Sequence, residues 1–507
     1  MMRCLSRVLP ATGRGLALIP AVSAIALLTA PALPATAATG PTAPPRYALT
    51  VLPTLGAPFD LSAAIGINDI GWIVGDTNEP TSTNIGNATQ HETLWRNGTI
   101  TDLGALCTPN PPNPPSCGPN SLPELVAKPN DTGLLSGSSQ DGKVDPLNEQ
   151  WTGGVCDVFG DLCAGSQYEL RGFVWRDGVM RPLPTLGGNN AAAFGVANSQ
   201  GEVVGTAETA LQDPNCVSTQ VLDYKPVVWA PDRQGNYGIR ELPEWPGDRI
   251  GAGLGINVWG QVVGGSGPCG PPGGGIGVTN NALLWQHGTT INLGSLGGKC
   301  NNLATAINDR GQVAGLSDVS GNDCRKVRTN NGGAAWMYNG STAYHAFLWQ
   351  NGVMTDLGTL PGDMPPDTFS YPEAINDAGQ VVGQSCNTSG TCRAFLWQNG
   401  AMTDLNAVTD LNTPDGPFDL ANAWGINDQG DIVGIGGVSP SQGLAFEAIP
   451  CDNLPPADPR CSDAAQGTAS TARPSFALPE SGPGMLGSRP GIGIGVGLFG
   501  GQPRGLW

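Results

Sequence analysis

Read for hydrophobic and polar positions, the chain alternates short apolar runs with turn residues from residue 47 to residue 450. Ala306-Ile307 leads into the polar stretch Asn308-Asp309-Arg310-Gly311, and Gln312-Val313-Ala314 leads out of it. The same arrangement returns around Asn68, Asn130, Asn198, Asn257, Asn376 and Asn427. Each asparagine is followed three residues later by a glycine (Gly71, Gly133, Gly201, Gly260, Gly311, Gly379, Gly430) and four residues beyond that by another. An asparagine side chain accepts hydrogen bonds from the backbone two residues on, and glycine takes the left-handed conformation freely. Together these positions predict seven hairpins, each closed by a type I turn with a bulge.

A second pattern follows each first one, as in Phe347-Leu348-Trp349-Gln350-Asn351-Gly352-Val353. Variants carry Trp95, Trp175, Trp229, Trp285 and Trp397, with a glycine three residues after the Trp in five of the six cases. Asn-Gly between β-prone runs predicts a two-residue hairpin. Each unit is then a meander of four short strands, and its Trp packs one unit on the next. Successive asparagines lie 51 to 68 residues apart, too far for one coil of a solenoid and suited to a propeller blade. Tyr47 to Gly56 reads as a fourth strand without its first three, while the last unit stops near Ile449 without a fourth. The expected fold is all-β: a seven-bladed β-propeller of four-stranded antiparallel blades over residues 47–450, closed by an N-terminal strand completing the last blade. Such closure removes open sheet edges.

The turns do not read as calcium loops. Such a loop needs several more oxygen ligands at alternating positions, and the Asp after each Asn is replaced by Ser199 and Val258 in two copies. No metal and no cofactor are expected.

The units resemble the HAF repeat of extracellular bacterial repeat proteins, named for a His-Ala-Phe triplet. Here the triplet is His345-Ala346-Phe347, with the Asn-Asp-x-Gly turn upstream and Leu348-Trp349-Gln350-Asn351-Gly352 downstream. The likeness spans nearly the whole chain after its leader, although only one unit keeps the full triplet and Arg393-Ala394-Phe395 comes nearest among the others. The resemblance implies secretion and a repeat fold, and it implies no catalytic residues.

The ends agree with secretion. Arg3, Arg7 and Arg14, an apolar run from Leu16 to Ala30 and Ala35-Thr36-Ala37 have the order of a signal peptide over residues 1–37. Pro20 interrupts the run, which is too short for a transmembrane span. Residues 38–46 read as a linker, and 451–507, rich in Gly, Pro and Ser, as a mostly disordered tail. Of 13 cysteines, Cys4 lies ahead of the apolar run, which leaves an even set for disulfides. Cys107 and Cys117, Cys156 and Cys163, Cys386 and Cys392, and Cys451 and Cys461 sit close in sequence. Cys300 and Cys324 flank one repeat motif, leaving Cys216 and Cys269. Zinc ligation would want two-residue spacings and histidine partners, and the chain has three His. Without the leader's three Arg, 21 basic residues face 42 acidic ones, a balance of −21 that repels phosphate backbones. Nucleic acid is not expected as a partner.

In a meander blade the two tight turns share one face, and the long loops and blade connections occupy the other. The long-loop face carries most of the cysteines and the aromatics Trp151, Trp336 and Tyr338, set among Gly, Asn and Ser. Rings in such loops suit a sugar. The expected function is a secreted binding or adhesion module, monomeric, taking a polysaccharide or a cell-surface protein on that face. The alternatives are a propeller enzyme acting on glycans as hydrolase or lyase, with carboxylates converging at the channel, and a structural envelope or matrix protein.

Overall fold

The computed structural model describes residues 45–461 apart from 57–60, 79–89, 107–120, 123–128, 150, 152–167, 196–197, 218–219, 270–278, 322–323, 339–342, 362–366, 388–390 and 439–442. The leader, the tail from residue 462 onward and the four cysteines Cys107, Cys117, Cys156 and Cys163 lie outside the described residues. No helix among the described residues is long and apolar enough to cross a membrane.

Seven antiparallel sheets follow one another along the chain. Blade 1 is built from Ser62–Ile67, Ile73–Asn78, Gln90–Arg96 and Thr99–Asp102, in that order across the sheet. Blades 2 to 6 occupy 121–182, 187–241, 250–292, 302–358 and 367–404. Blade 7 takes Asp419–Ile426, Ile432–Gly437 and Leu444–Pro450 from one end of this span and Tyr47–Val51 from the other. Tyr47 stands opposite Pro450 and Val51 opposite Phe446, so the N-terminal strand closes the propeller as expected. Thr409–Asp410 runs parallel along the far side of Tyr47-Ala48, and residues 451–461 also belong to the clasp. Cys451 N–H donates to Arg46 O (2.8 Å), Cys451 bonds Cys461, and the Arg460 guanidinium donates to Thr50 Oγ1 (2.9 Å). The folded region thus runs past the expected boundary at 450.

The three repeated positions of the turn each have a physical cause. The Asn308 carboxamide oxygen accepts from the N–H groups of Arg310 (3.1 Å) and Gln312 (2.9 Å), and Gly311 donates to Asn308 O (3.0 Å). Gly311 has φ +74°, the left-handed value the bulged turn requires. The second glycine answers to a different constraint. In five blades one residue bulges from the innermost strand just before the turn, as Glu373 does between Pro372 and Ala374. That bulge pushes a carbonyl at the neighbouring strand, and a Cβ on Gly383 would stand 2.0 Å from Tyr371 O. Only glycine fits there.

The repeated Trp bolts blades together. Trp95, Trp229 and Trp285 each donate their indole N–H to a proline carbonyl at the end of the preceding blade: Pro53, Pro184 and Pro243, at 2.7 to 2.8 Å. Phe173, Phe347, Phe395 and Phe446 are fully buried in the same layer.

The His-Ala-Phe triplet reads structurally. Phe347 is core, and His345 Nδ1 meets Asp356 on the next strand at 2.9 Å. His91 and Asp102 (2.8 Å) repeat this pairing in blade 1, and Arg393 with Asp404 (2.9 Å) in blade 6. Burial alone would raise Asp102 and Asp356, but the hydrogen bond and charge of each histidine, with the N–H of Gly104 or Gly358, together hold them below the usual carboxylate range.

Candidate functional site

The two faces carry different chemistry. On the tight-turn face the seven asparagines form a closed ring. Each carboxamide N–H donates to the backbone carbonyl of the asparagine in the next blade, in the order 68, 130, 198, 257, 308, 376, 427 and back to 68, at 2.9 to 3.3 Å. A second set of bonds lies outside the first. The N–H groups of Val258, Asp309, Asp377 and Asp428 donate to the carboxylates of Asp309, Asp377, Asp428 and Asp69 in turn, at 2.8 to 3.0 Å. Inside the ring the channel mouth holds a cavity of about 200 Å³, walled by Ile67, Ile256, Ile307, Ile375 and Ile426. Asp69, Asp131, Asp309, Asp377 and Asp428 stand around it. Carboxylates from separate blades therefore line the channel mouth. Beside the rim Trp259 is 72% exposed, its indole N–H donating to Asp309 O (2.8 Å). The sequence marked its position as a turn and gave no sign of an aromatic held in the open.

The long-loop face is built from blade-specific parts. Between the second and third strands of blade 5 the chain forms an extra hairpin, Cys324–Arg328 paired with Ala334–Tyr338. Its signal was present in the sequence, in Asn330-Asn331-Gly332-Gly333 between two β-prone runs. The base is tied to the segment leading into the first strand of the blade by the Cys300–Cys324 disulfide. At the tip, Asn330 N–H donates to Cys216 O (2.8 Å) and Asn331 N–H to Pro214 O (2.9 Å), both in a blade 3 loop. That loop is joined to blade 4 by Cys216–Cys269. In the middle, Asn280 of blade 4 donates its side-chain N–H to Trp336 O (3.5 Å). The hairpin is pinned across three blades.

Cross-strand pairing sorts its side chains by face. Val327 and Ala335 pack on an apolar layer that includes Val217, Ile250, Leu303, Tyr344 and Tyr371. Lys326, Arg328 and Trp336 are exposed, with the Lys326 ammonium 5.0 Å from the centre of the Trp336 ring. Trp336 is 53% exposed. Tyr338 stands opposite Cys324 in the same hairpin, and its side chain lies outside the described residues.

Trp151 departs from expectation. It is 1% exposed, packed edge-on against Tyr224 at 5.4 Å between ring centres, and sits in the apolar layer below the loops. A ring with no free face cannot take a sugar, so Trp151 is a core residue and is not brought together with Trp336 on the surface. The reason is Glu149, two residues before it. Glu149 Oε1 accepts from Val221 N–H (2.7 Å), Leu222 N–H (2.6 Å) and the Gln220 side chain (3.0 Å), which draws the loop onto blade 3. Gln220 also donates to Glu208 Oε1 (3.1 Å), so two buried carboxyls share one amide. Burial and then the Glu149 charge push the Glu208 carboxyl up to about 8, and burial raises Glu149 as well. One proton between the two groups satisfies both. Both are sealed from solvent, which leaves the pair a structural role.

Four of the cysteine pairs grouped by the sequence are disulfides in the structure: Cys216–Cys269, Cys300–Cys324, Cys386–Cys392 and Cys451–Cys461. Asp213 lies beside Cys216 and Cys269, but their sulfurs are bonded to each other and Asp213 pairs with Arg249.

No family model matches the chain, and no curated protein matches it. Among solved structures it is similar to the β-propeller domain of the Trilobed protease from Pyrococcus furiosus, with 8% identity, 76% of this chain and 95% of that one covered, and a TM-score of 0.39. It is also similar to a protein of unknown function from Dyadobacter fermentans (12% identity, 79% and 97% covered, TM-score 0.34). A gluconolactonase from Xanthomonas campestris is similar as well (10% identity, 81% and 98% covered, TM-score 0.28). The class of protein, a closed seven-bladed β-propeller, rests on the strand pairing itself.

Proposed function

We propose that this protein is a secreted binding module of the HAF-repeat kind, engaging its ligand on the long-loop face through the hairpin 324–338. One observation carries the reading: Trp336 is held open to solvent on a hairpin fixed at both ends and in the middle. A large exposed ring on a rigid support binds without paying for its own ordering. The disulfides support an oxidising compartment, and the repeated turn, Trp and Phe positions support the family reading. A glycan array on the disulfide-intact protein tests it. Binding that falls at least tenfold in Trp336→Ala, with an unchanged melting temperature, is the expected result. Equal binding by the variant overturns it.

A second reading has its own observation. The carboxylates around the channel mouth suit an enzyme acting on glycans, and release of reducing ends or unsaturated sugars from a polysaccharide panel would favour it.

A further inference from the structure

Resting on that reading of the hairpin, we propose that its ligand is an acidic polysaccharide, held by the sugar face on Trp336 and by its carboxylates or sulfates on Lys326 and Arg328. The chain carries 24 basic residues against 42 acidic ones, yet Arg325, Lys326 and Arg328 fall within four positions. All three are exposed, and among the described residues no carboxylate pairs with any of them. Several other described cations do have such partners: Arg171 with Glu169 (2.7 Å), Lys225 with Asp223 and Glu244, Arg393 with Asp404. A run of cations left unneutralised on an acidic protein is a local field of opposite sign to the whole.

The geometry fits a polymer. Lys326 and Arg328 are two residues apart on one strand, so their Cα atoms are roughly 6.8 Å apart on the same face. Trp336 stands directly across from Lys326. The three side chains form a corner, with Trp336 across the hairpin from Lys326 and Arg328 two positions along the same strand, while Val327 and Ala335 hold the reverse side on the apolar layer. The ring offers a flat surface to the C–H face of a sugar, and the ammonium and guanidinium meet anionic groups on the same or the next residue. Density of charge separates this class from duplex nucleic acid, which carries about one charge per 1.7 Å of helix axis and would be repelled more strongly by a surface that is acidic overall. A polysaccharide with one anionic group per sugar fits a footprint of this size.

Affinity electrophoresis through gels containing polygalacturonate, alginate, neutral dextran or single-stranded DNA tests the inference, with wild type, Trp336→Ala, Lys326→Ala/Arg328→Ala and Lys326→Arg. The expected result is retardation by the two acidic polysaccharides, weakened about tenfold by the double substitution and by raising NaCl from 50 to 300 mM, as for a contact with two charge pairs. Lys326→Arg should retain it. Melting temperatures within error of wild type keep folding out of the comparison. No retardation by either acidic polymer at 50 mM NaCl overturns the inference, as does stronger retardation by DNA. Binding to neutral glycans that needs Trp336 but ignores both salt and the double substitution also overturns it, while leaving the hairpin as the binding surface.

Discussion

The tight-turn face and the long-loop face of this propeller solve opposite problems. The first repeats one five-residue turn seven times and links the copies head to tail, each asparagine bridging to the next blade. Because every blade supplies the same parts, the bonds close into a circle with no loose end. The second face repeats almost nothing. Its loops differ in length, and they are held by a crossing hairpin, two disulfides that join separate segments of the face, and a buried carboxyl pair. Repetition supplies the frame, and the departures from it supply the surface that can be specific.

The largest test of this contrast removes a staple from the irregular face. Cys216→Ser/Cys269→Ser opens a link across 53 residues, worth about 4 kcal/mol in the chain-entropy account. Hydrogen exchange should rise in peptides covering 213–220 and 324–338 and stay unchanged in the Asn turns. Equal loosening of both faces would show that the frame depends on the loops.

Next comes pH. The Glu208 carboxyl titrates near 8 in the folded protein against an ordinary value of 4.5, and folding therefore favours its protonated form. The stabilisation is complete below 4.5, declines as pH rises, and is gone above about 8. The groups facing the pair are Asp145, whose charge raises Glu149 further, Tyr224 on the adjacent strand, and the neutral amides of Gln220 and Asn190. Melting temperature should fall between pH 5 and pH 9 in wild type and fall less in Glu208→Gln. Parallel curves would remove the shared proton from the account. Gln220 and three backbone or side-chain donors still serve the charged form, which limits the shift.

The smallest change addresses the ring. Asn308→Ala deletes the bond to Asn376 O and the two turn bonds from Arg310 and Gln312. A loss of about 2 kcal/mol in denaturant unfolding is expected, with no change at the hairpin. A cost below a few tenths would mean that packing alone sets the blade number.

How far the sequence could be read follows the same division. The seven turns, the four-stranded units and the closing strand were legible because each is a local pattern, and seven copies outvote any one deviation. The first glycine's role was legible for the same reason. The second glycine was visible as a repeat without a cause, since the carbonyl that approaches Gly383 belongs to another strand. On the loop face Trp151 and Trp336 looked alike, both aromatic in polar surroundings. What separates them is Glu149 reaching Val221 and Leu222, more than 70 positions away. No short window of sequence contains that bond. Trp259 was hidden differently, as a variable position in a turn whose fixed positions drew the reading.

The clasp between Tyr47–Val51 and Leu444–Pro450 has a consequence in time. Tyr47–Val51 must wait for a strand made nearly 400 residues later, with Thr409–Asp410 and Cys461 joining it on either side. Until then the nascent chain carries two raw strand borders, which invite pairing with a neighbour. Dilution and chaperones would decide how many copies finish as a circle.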